Sequence, residues 1–586
     1  MSAEQLITQH IDTWTSALQT RSTAGRGNNG KIDLYGIKKL RELILELAVR
    51  GKLVPQDPND EPASELLKQI AKERDELVKR KVIRKPKKIE KITNTKIPFE
   101  LPNGWEWCYL NDIGDWGAGS TPNRSNLDYY NGNIPWFKSG ELHSDFISDS
   151  EEKVTELALQ ECSLRNNNVG DVLIAMYGAT IGKTSILNVR GTTNQAVCAC
   201  TPYSGVSNIY LLTFLKAYKR VFIGMGAGGA QPNISREKLI ATVFALPPKA
   251  EQNRIICKVN QLMSLCDQLE QQSLTSLEAH SQLVNTLLAT LTNSQNAEEL
   301  AENWARISQH FDTLFTTEAS IDALKQTILQ LAVMGKLVPQ DPNDEPASEL
   351  LKRIEQEKAQ LVKEGKIKKQ KPLPPMSDEE KPFGLPMGWE WCRFEDIVDI
   401  QSGITKGRNL VGRELISVPY LRVANVQRGH LDLSEIKTID IAADEKDKYQ
   451  VKLNDLLITE GGDWDTVGRT AIWTDSSFYM ANQNHVFKAR PIVNELNVKW
   501  IETFMNSSVS RKYFAGASKQ TTNLASINKT QLRGCFIALP PISETSRILD
   551  QYMSLLNVCD GLKSRLQSAQ QTQLHLADAL TDAALS

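Results

Sequence analysis

The stretch GKLVPQDPNDEPASELLK occupies Gly51–Lys68 and occurs again, without a single change, at Gly335–Lys352. Eighteen identical residues that lie 284 positions apart show that the chain contains an internal duplication. This period is too long for a solenoid and indicates two copies of a whole module. Proline, asparagine and aspartate at the centre predict a rigid turn. The flanking residues predict the end of one helix and the start of another, with Ser64 as the N-cap.

The duplication extends well beyond this stretch. LPNGWEWC at 101–108 returns as LPMGWEWC at 385–392, and FALPP at 244–248 returns as IALPP at 537–541. Between these two markers the copies have diverged almost completely and differ in length by nine residues, whereas outside them they remain similar. The chain therefore has a duplicated frame that holds two different inserts. This pattern is expected if the frame is kept for assembly while each insert is free to change its ligand.

Apolar residues recur with helical spacing in the frame. The segments ahead of the repeated stretch have this spacing, and each ends at a glycine, Gly51 or Gly335. After each LPP marker, apolar residues follow one another at intervals of four, three, four and three. They are Ile255, Val259, Leu262, Cys266 and Leu269, then Ile548, Tyr552, Leu555, Cys559 and Leu562. Each series predicts a helix of about 40 residues, roughly 60 Å long. Each of these helices packs either on the core of its own domain or in a coiled coil, and the presence of two matched copies favours the coiled coil.

The inserts have the pattern of mixed α/β domains. In each, two strand-like runs flank a glycine-rich turn that ends in a basic residue, Lys183 in YGATIGKT (177–184) and Arg469 in DTVGRT. YGATIGKT is one residue short of a phosphate-binding P-loop and the second copy lacks the lysine, which argues against nucleotide hydrolysis. A nucleic-acid phosphate is a suitable neighbour for such a basic turn. NIYLLTFLKAYK and VKWIETFMNSSVSRKYF each predict a helix.

Polar loops and basic runs also occur at matching places in the two copies. The loops GMGAGGAQPN at 224–233 and GASKQTTNLASIN at 516–528 carry amide side chains. Such amides can pair with adenine, although each loop could equally be a solvated surface loop. Basic runs at 79–91 and 363–371 precede the inserts. Runs of this kind are often solvated linkers, but their recurrence favours contact with phosphate.

Composition and missing motifs disfavour several classes of protein. The formal net charge of -2 means that any anion-binding surface is local. The nine cysteines show no metal-ligand spacing and indicate reduced thiols in a cytoplasmic protein. The amino terminus lacks a signal pattern, and no apolar run is long enough to predict a membrane span. We find no amino-methyltransferase, HExxH or GxSxG motif, so no catalytic or metal-binding residue is expected.

The two variable inserts, the near-identical frame and the LP-x-GWEWC and LPP borders together resemble the specificity (S) subunit of Type I restriction-modification enzymes. The likeness covers essentially the whole chain and is strongest to the branch with an N-terminal conserved region. It implies a mixed α/β fold in which two long antiparallel coiled-coil helices separate two target-recognition domains with pseudo-two-fold symmetry. The implied domains are an N-terminal conserved helical region at 1–98, recognition domains at 99–248 and 385–541, a central helical region at 249–384 and a C-terminal helix at 542–586.

This resemblance also implies a function. Each recognition domain would read one half of a split, asymmetric sequence in double-stranded DNA, and the helices would set the gap between the halves. The chain would bind two modification subunits, and two restriction subunits would join the complex. It would be cytoplasmic and non-catalytic and would bind no cofactor, because S-adenosylmethionine belongs to the modification subunits and ATP and Mg to the restriction subunits. The alternatives are a coiled-coil scaffold whose inserts bind proteins or carbohydrates and, less favoured, an enzyme with its own nucleotide chemistry.

Loop position and side-chain chemistry select the candidate DNA-binding residues. Lys183 and Arg469 are expected to contact phosphate, while the amides and Arg422 are candidate base readers. The candidates in the first insert are Lys138, Tyr177, Lys183, Gln195, Gln231 and Asn233. Those in the second insert are Lys406, Arg408, Arg422, Asn425, Arg469, Lys519 and Asn523.

Overall fold

The computed structural model describes residues 3–21, 31–226, 232–463, 466–521 and 524–585. The chain divides into two compact units. Unit 1 comprises Met1–Leu277 and Ser568–Ser586, and unit 2 comprises Glu278–Gln567. Each unit contains one insert together with frame segments from both copies. None of the helices in the described residues is long and apolar enough to span a lipid bilayer.

The described helices are numbered in chain order. The first nine are α1 (Ala3–Gln9), α2 (Ile11–Ser16), α3 (Tyr35–Val49), α4 (Ala63–Lys79), α5 (Glu156–Glu161), α6 (Asn208–Ala217), α7 (Lys219–Gly226), α8 (Arg236–Ile240) and α9 (Lys249–Asn293). The others are α10 (Ala297–Gln309), α11 (Phe311–Leu314), α12 (Glu318–Val333), α13 (Ala347–Lys363), α14 (Phe394–Ile397), α15 (Lys446–Tyr449), α16 (Val498–Met505), α17 (Ser508–Ala517), α18 (Lys529–Arg533) and α19 (Ile542–Leu585).

The described strands are short. Those of unit 1 are β1 (Gln19–Arg21), β2 (Lys31–Asp33), β3 (Glu106–Tyr109), β4 (Gly114–Ala118), β5 (Tyr130–Phe137), β6 (Phe146–Ile147), β7 (Lys153–Val154), β8 (Val172–Ala175), β9 (Thr184–Leu187), β10 (Thr192–Thr193), β11 (Val197–Pro202) and β12 (Val243–Leu246). Those of unit 2 are β13 (Glu390–Arg393), β14 (Val398–Gln401), β15 (Leu415–Leu421), β16 (Lys437–Ala442), β17 (Leu456–Thr459), β18 (Gly461–Gly462), β19 (Thr470–Ile472), β20 (Ala481–Asn482), β21 (Val486–Pro491), β22 (Lys519–Thr521), β23 (Leu524–Ser526) and β24 (Phe536–Leu539).

The two long helices have the predicted lengths, since α9 contains 45 residues and α19 contains 44. Helix α9 contributes residues 249–277 to unit 1 and 278–293 to unit 2, and α19 contributes residues 542–567 to unit 2 and 568–585 to unit 1. The five apolar residues that predicted the first helix are all buried, and they share one hydrophobic core with α3 and with Ala577 of α19. The predicted apolar stripe of α9 is therefore buried, and in unit 1 it lies in the same core as residues of α3 and α19.

In unit 1, α3 runs antiparallel to α9. The guanidinium of Arg41 donates to Asp267 over 2.7 Å and to Glu270 over 2.5 Å. Beyond the end of α3, Gln56 donates to Glu251 at the start of α9 over 3.1 Å. Later residues on α3 and the chain that follows it thus face earlier residues on α9.

The same helix runs parallel to α19. The hydroxyl of Tyr35, at the start of α3, donates to Asp578 over 2.7 Å. Lys52, just after α3, donates to the carbonyl oxygen of Leu585 over 3.0 Å. Because α3 is antiparallel to one long helix and parallel to the other, the segments of α9 and α19 in unit 1 run antiparallel, as predicted.

In unit 2, α12 takes the place of α3 and the long helices exchange roles. Lys563 of α19 donates to Asp322 of α12 over 2.9 Å, and Gln340 beyond α12 donates to Glu544 at the start of α19 over 3.2 Å. The end of α9 packs in the same core. One set of helix contacts therefore occurs twice, as the internal duplication predicts.

Each insert is closed by pairing of its two borders. Strand β3, which includes the end of the first marker, pairs antiparallel with β12, which directly precedes the two prolines of the LPP marker, and β13 pairs in the same way with β24. Between these borders the larger sheets have the strand orders β4-β11-β8-β9-β6 in unit 1 and β14-β21-β17-β19 in unit 2. The prediction of mixed α/β inserts is confirmed. The stretch predicted as one helix near residue 507 forms two, α16 and α17, because Asn506 caps the first and donates to the carbonyl of Thr470 over 2.8 Å.

The repeated stretch forms the predicted helix end, turn and helix start. Gly51 has φ +67°, a left-handed conformation that glycine adopts without strain after a helix. The predicted N-cap is wrong. Helix α4 begins at Ala63 after Pro62, and Ser64 lies inside its first turn. A side-chain cap is not needed here, because the N–H of Ala63 donates to the carbonyl of Gly104 over 2.8 Å.

Candidate nucleic-acid interface

Two loops of the first insert meet at the end of β8. Met176, the residue after this strand, donates its N–H to the carbonyl of Ala196 over 2.8 Å. Its own carbonyl accepts the N–H of Ile234 over 2.9 Å. These backbone bonds hold the turn before β11 and the polar loop before α8 on either side of one strand end. Because only backbone atoms take part, the arrangement leaves the neighbouring side chains free to differ.

Three candidate residues are brought together there. Tyr177 forms a backbone bridge with Asn233, and the side chains of both are exposed. Gln195 is also exposed and accepts a hydrogen bond from the hydroxyl of Thr121. Gln231 lies outside the described residues. A phenol and two amides thus lie on the surface at one edge of the sheet.

Two candidate lysines flank this edge. The last carbonyl of β5, just before Lys138, accepts the N–H of Asn194 over 3.1 Å. The ammonium of Lys138 lies 3.0 Å from the carboxylate of Glu152, which raises the pKa of the lysine. Lys183, at the tip of the basic turn, donates to the carbonyl of Gly140 over 3.3 Å. All five described candidates of the first insert therefore lie in one region.

The second insert uses the same backbone scheme. Glu460 follows β17, donates its N–H to the carbonyl of His485 over 3.0 Å and accepts the N–H of Ile527 over 2.9 Å. The last carbonyl of β15 accepts the N–H of Gln483 over 2.9 Å, which places Gln483 where the first insert has Asn194.

Each insert contains an NQ dipeptide, at 194–195 and at 482–483, but the two dipeptides do not occupy the same place in the turn. The two turns have the same length, 194–196 and 483–485, but the second NQ dipeptide lies one residue earlier, so Gln483 corresponds to Asn194 and Asn484 corresponds to Gln195. Asn484 was not among the residues that the sequence selected. Both inserts nevertheless place an amide side chain at the same point of the turn.

Arg422 takes the place of Lys138, and it also contacts a carboxylate. Its guanidinium lies 3.0 Å from Glu435. The amide of Asn425 is buried, accepts the N–H of Arg422 over 2.9 Å and donates to the carbonyls of Asp432 over 2.8 Å and Glu435 over 3.1 Å. Asn425 therefore stabilises its own turn, and its amide is not free to read a base.

The loop between β14 and β15 carries the candidates Lys406 and Arg408. The guanidinium of Arg408 lies 2.8 Å from Glu445 and 5.2 Å from the ring centre of Tyr449. Lys406 is exposed, with its ammonium 5.5 Å from the ring of Tyr420. Arg408 thus anchors the loop between β14 and β15 through an ion pair with Glu445 and a cation–π contact with Tyr449.

The corresponding loop of the first insert, between β4 and β5, contains an equivalent anchor that sequence reasoning missed. Arg124 lies 4.9 Å from the ring centres of both Tyr130 and Trp136 and donates to Glu152 over 2.5 Å. Each loop also presents a strongly exposed aliphatic side chain, with Leu127 75% and Val411 91% accessible. The two inserts thus keep these features although their sequences have diverged almost completely.

A glycine lets each of these loops cross the turn that bears the amide. A Cβ added to Gly119 would lie 2.1 Å from the carbonyl oxygen of Thr193, and one added to Gly403 would lie 2.2 Å from that of Asn482. No other residue fits such close backbone contact. The crossing places the loop beside the amide in both inserts.

Arg469 lies at the predicted basic turn and donates to the side chain of Gln427 over 2.9 Å. Arg428 is close to it, and burial together with the charges of Arg511 and Arg469 lowers the pKa of Arg428 to about 10. Arg428 and Arg511 lie about 40 residues to either side of Arg469, so no local motif could reveal them. Three arginines from distant parts of the second insert are thus close enough to act on one another electrostatically.

The remaining candidates lie at the edge of the described structure. The backbone of Lys519 belongs to β22, but its side chain is outside the described atoms, and Asn523 is outside the described residues. In the described part of the chain, no group of three or more histidine, cysteine, aspartate or glutamate residues is placed to hold a metal ion.

Comparison with known proteins agrees with the duplicated architecture. The family model for the Type I restriction modification DNA specificity domain matches residues 102–279 and 386–568. The EcoEI specificity subunit of Escherichia coli is 48% identical over 601 positions, and the EcoAI specificity subunit is 47% identical over 605, with all of each chain covered. The HsdS subunit from Thermoanaerobacter tengcongensis is 17% identical, with a TM-score of 0.39 over 84% of this chain and 99% of that one. The chain therefore belongs to the Type I restriction-modification specificity subunits.

Proposed function

We propose that this chain is the DNA sequence-specificity subunit of a Type I restriction-modification complex and that each insert reads one half of a bipartite, asymmetric target in double-stranded DNA. One observation carries the proposal. Two inserts whose sequences have diverged almost completely use the same backbone bonds, around Met176 and Glu460, to gather amide and basic side chains at the end of one strand. A shared scaffold with different side chains suits two readers of two different sequences.

The basic residues would position the DNA. Lys183 and Arg469 occupy the tips of equivalent turns and would contact backbone phosphates, which fixes orientation without selecting sequence. In the structure, Lys138 forms an ion pair with Glu152, and Arg422 forms one with Glu435. Ion pairs near the surface contribute only about 0–1 kcal/mol, so exchange of the carboxylate for a phosphate costs little.

The amides would select the sequence. Side chains of Asn and Gln can make two hydrogen bonds to adenine in the major groove. Gln195 and Asn233 in the first insert, and Asn484 and Asn523 in the second, are the proposed readers, with Gln231, Tyr177, Arg408, Lys406 and Lys519 as neighbouring contacts. Because the two sets differ, the two halves of the target differ as well.

The frame would bind the enzymatic subunits. Pro55, Asp57, Pro58 and Asn59 are exposed in the first repeated stretch, and their counterparts Pro339, Asp341, Pro342 and Asn343 are exposed in the second. Identity at exposed positions does not serve the core, and two copies of one partner account for it. We assign these surfaces to two modification subunits, which bind S-adenosylmethionine. Two restriction subunits would add ATP and Mg, and the chain itself would act in the cytoplasm without catalysis or cofactor.

The test is methylation mapping with exchanged inserts. The chain and its modification subunit are incubated with DNA, and methylated adenines are located by single-molecule sequencing. The wild-type chain should give one asymmetric motif with a constant spacer. A chain in which residues 102–248 also replace residues 386–541 should give a motif whose halves are inverted repeats. No sequence preference, together with DNA affinity that does not respond to salt, would favour the protein- or carbohydrate-binding scaffold.

A further inference from the structure

The basic segments ahead of the inserts have an ordered arrangement in the structure. The first strap, residues 80–92, follows α4 and contains neither helix nor strand. Ile83, Pro86, Ile89 and Ile92 are half-buried, at intervals of three residues. A period of three is that of a polyproline II helix, in which every third side chain lies on one face. A freely solvated linker would show no such period.

The positive charges lie on the opposite faces. The exposed cations of the first strap between the half-buried residues are Arg84, Lys85, Lys87, Lys88 and Lys91. Glu90 is the acidic residue in that interval. Within the described part of the chain, none of these five cations forms a salt bridge. At about 3.1 Å per residue, they cover roughly 22 Å.

The second strap, residues 364–376, is built in the same way. Ile367, Leu373 and Met376 are half-buried at multiples of three, and the segment carries the exposed lysines Lys366, Lys368, Lys369 and Lys371. Lys366 also contacts Glu364 over 2.7 Å. Ile367, Leu373 and Met376 lie 284 positions after Ile83, Ile89 and Ile92, so the half-buried apolar positions of the straps belong to the duplicated frame.

The inserts fasten the straps through backbone carbonyls. Asn111 donates to the carbonyl of Lys87 over 3.3 Å in unit 1. In unit 2, Arg533 donates to the carbonyl of Lys371 over 2.5 Å and Arg393 donates to that of Pro374 over 2.9 Å. The straps are thus held at their backbones while the lysine side chains remain exposed. Such preorganisation lowers the entropy cost when a ligand binds.

We propose that the two straps are sequence-independent contacts to the DNA backbone, distinct from the recognition residues of the inserts. This inference rests on the proposed function. A row of exposed cations over roughly 22 Å suits a polyanion with regularly spaced charges, and each neutralised phosphate releases counterions and adds salt-dependent affinity. Since no base edge is read, the straps would strengthen binding to target and non-target DNA alike.

The experiment compares salt dependence among three variants of the full chain purified with its modification subunit. The strap variant changes Arg84, Lys85, Lys87, Lys88 and Lys91 to Gln. The charge-keeping variant changes the four lysines of this set to Arg. The control variant changes an equal number of frame lysines, Lys38, Lys68, Lys72, Lys249 and Lys258, to Gln.

We expect the strap variant to lower the slope of log affinity against log salt by about 0.9 for each phosphate that the strap no longer neutralises, on target and non-target duplexes equally. The charge-keeping and control variants should retain the wild-type slope. An unchanged slope in the strap variant overturns the inference. Loss of the modification subunit with an unchanged slope also overturns it and assigns the strap to an acidic protein surface. If the wild-type chain does not prefer target DNA, the proposed function fails instead.

Discussion

The indole N–H of Trp105 donates to the carboxylate of Glu251 over 2.9 Å. Gln56 donates to the same carboxylate over 3.1 Å, and Glu251 is only 1% exposed. This carboxylate, at the start of the long helix, thus links the repeated stretch to the residue that directly precedes β3 of the insert. Gln340 and Glu544 repeat the contact in unit 2 over 3.2 Å. The marker GWEWC is therefore a structural joint between frame and insert.

The first prediction concerns the charge of this joint. Burial raises the pKa of Glu251, in spite of the hydrogen bonds from Gln56 and Trp105 that lower it. A carboxyl group with a higher pKa in the folded chain binds more protons when folded, so its contribution to the free energy of unfolding decreases as pH rises through that pKa. We therefore expect the melting temperature of Glu251→Gln to rise relative to that of the wild type when the pH is raised from 5 to 8.

Two comparisons complete this test. Glu251→Ala leaves the indole and the Gln56 amide without an acceptor and should cost about 1–3 kcal/mol at either pH. Burial also raises the pKa of Glu544, so Glu544→Gln should behave like Glu251→Gln. If the difference in melting temperature between Glu251→Gln and wild type did not change with pH, the raised pKa of Glu251 would be contradicted.

The second prediction concerns a buried lysine in the second insert. Lys488 is 1% exposed, donates to the carbonyl of Gln450 over 2.8 Å, and has its pKa lowered by burial to about 8. Between this pKa and the ordinary lysine value, the unfolded chain binds more protons than the folded chain. The contribution of Lys488 to the free energy of unfolding therefore increases as pH rises from about 8 towards 10. Melting curves of Lys488→Met should lack this increase, whereas those of the exposed control Lys452→Met should keep it.

The third prediction concerns the crossing glycines. Gly119→Ala and Gly403→Ala each push a Cβ into a backbone carbonyl and should destabilise the affected insert by about 1–3 kcal/mol. The displaced loop should weaken discrimination at one half of the target and leave the other half unchanged, as measured by methylation mapping. Gly140→Ala is the matched control, because an added Cβ there meets no atom within 4 Å. If Gly119→Ala and Gly140→Ala changed stability and half-site discrimination equally, the close contact at Gly119 would not be what positions the loop.

The fourth prediction separates readout from positioning. Replacing Gln195 by Ala should cost about 1–3 kcal/mol on the target and relax one base position in one half-site. Lys183→Ala should weaken binding to all duplexes and lower the salt slope by about 0.9. Binding titrations on the target and on single-base variants distinguish the two results. A uniform loss with Gln195→Ala would assign that side chain to the backbone.

The fifth prediction concerns the length of the helices. Deletion of residues 276–279 from α9 and 566–569 from α19 shortens each by about 6 Å, since the rise is about 1.5 Å per residue. We expect the unread spacer of the methylated motif to shorten by about two base pairs, because one DNA turn of about 10 base pairs is about 34 Å long. Methylation at an unchanged spacer would show that the helices do not set the gap.

The sequence by itself was sufficient for the frame. Identity between the copies revealed the duplication, and the spacing of residues such as Ile255 and Cys266 predicted two helices whose lengths the structure confirms. It also predicted the mixed α/β inserts and the basic turns at Lys183 and Arg469. These features depend on local periodicity and on turn-forming residues, which act over a few positions of the chain. Even so, Ser64 is not a cap, because the helix begins one residue earlier, at Ala63, whose N–H donates to the distant carbonyl of Gly104.

Only the tertiary structure decided which side chains share a site. It showed that Asn484, rather than Gln483, corresponds to Gln195, that Arg428 lies near Arg469, and that Asn425 is buried within its own turn. These relationships arise from backbone hydrogen bonds between segments tens of residues apart, and such bonds do not depend on side-chain identity. Divergent inserts can therefore keep one scaffold while their sequences lose any visible correspondence.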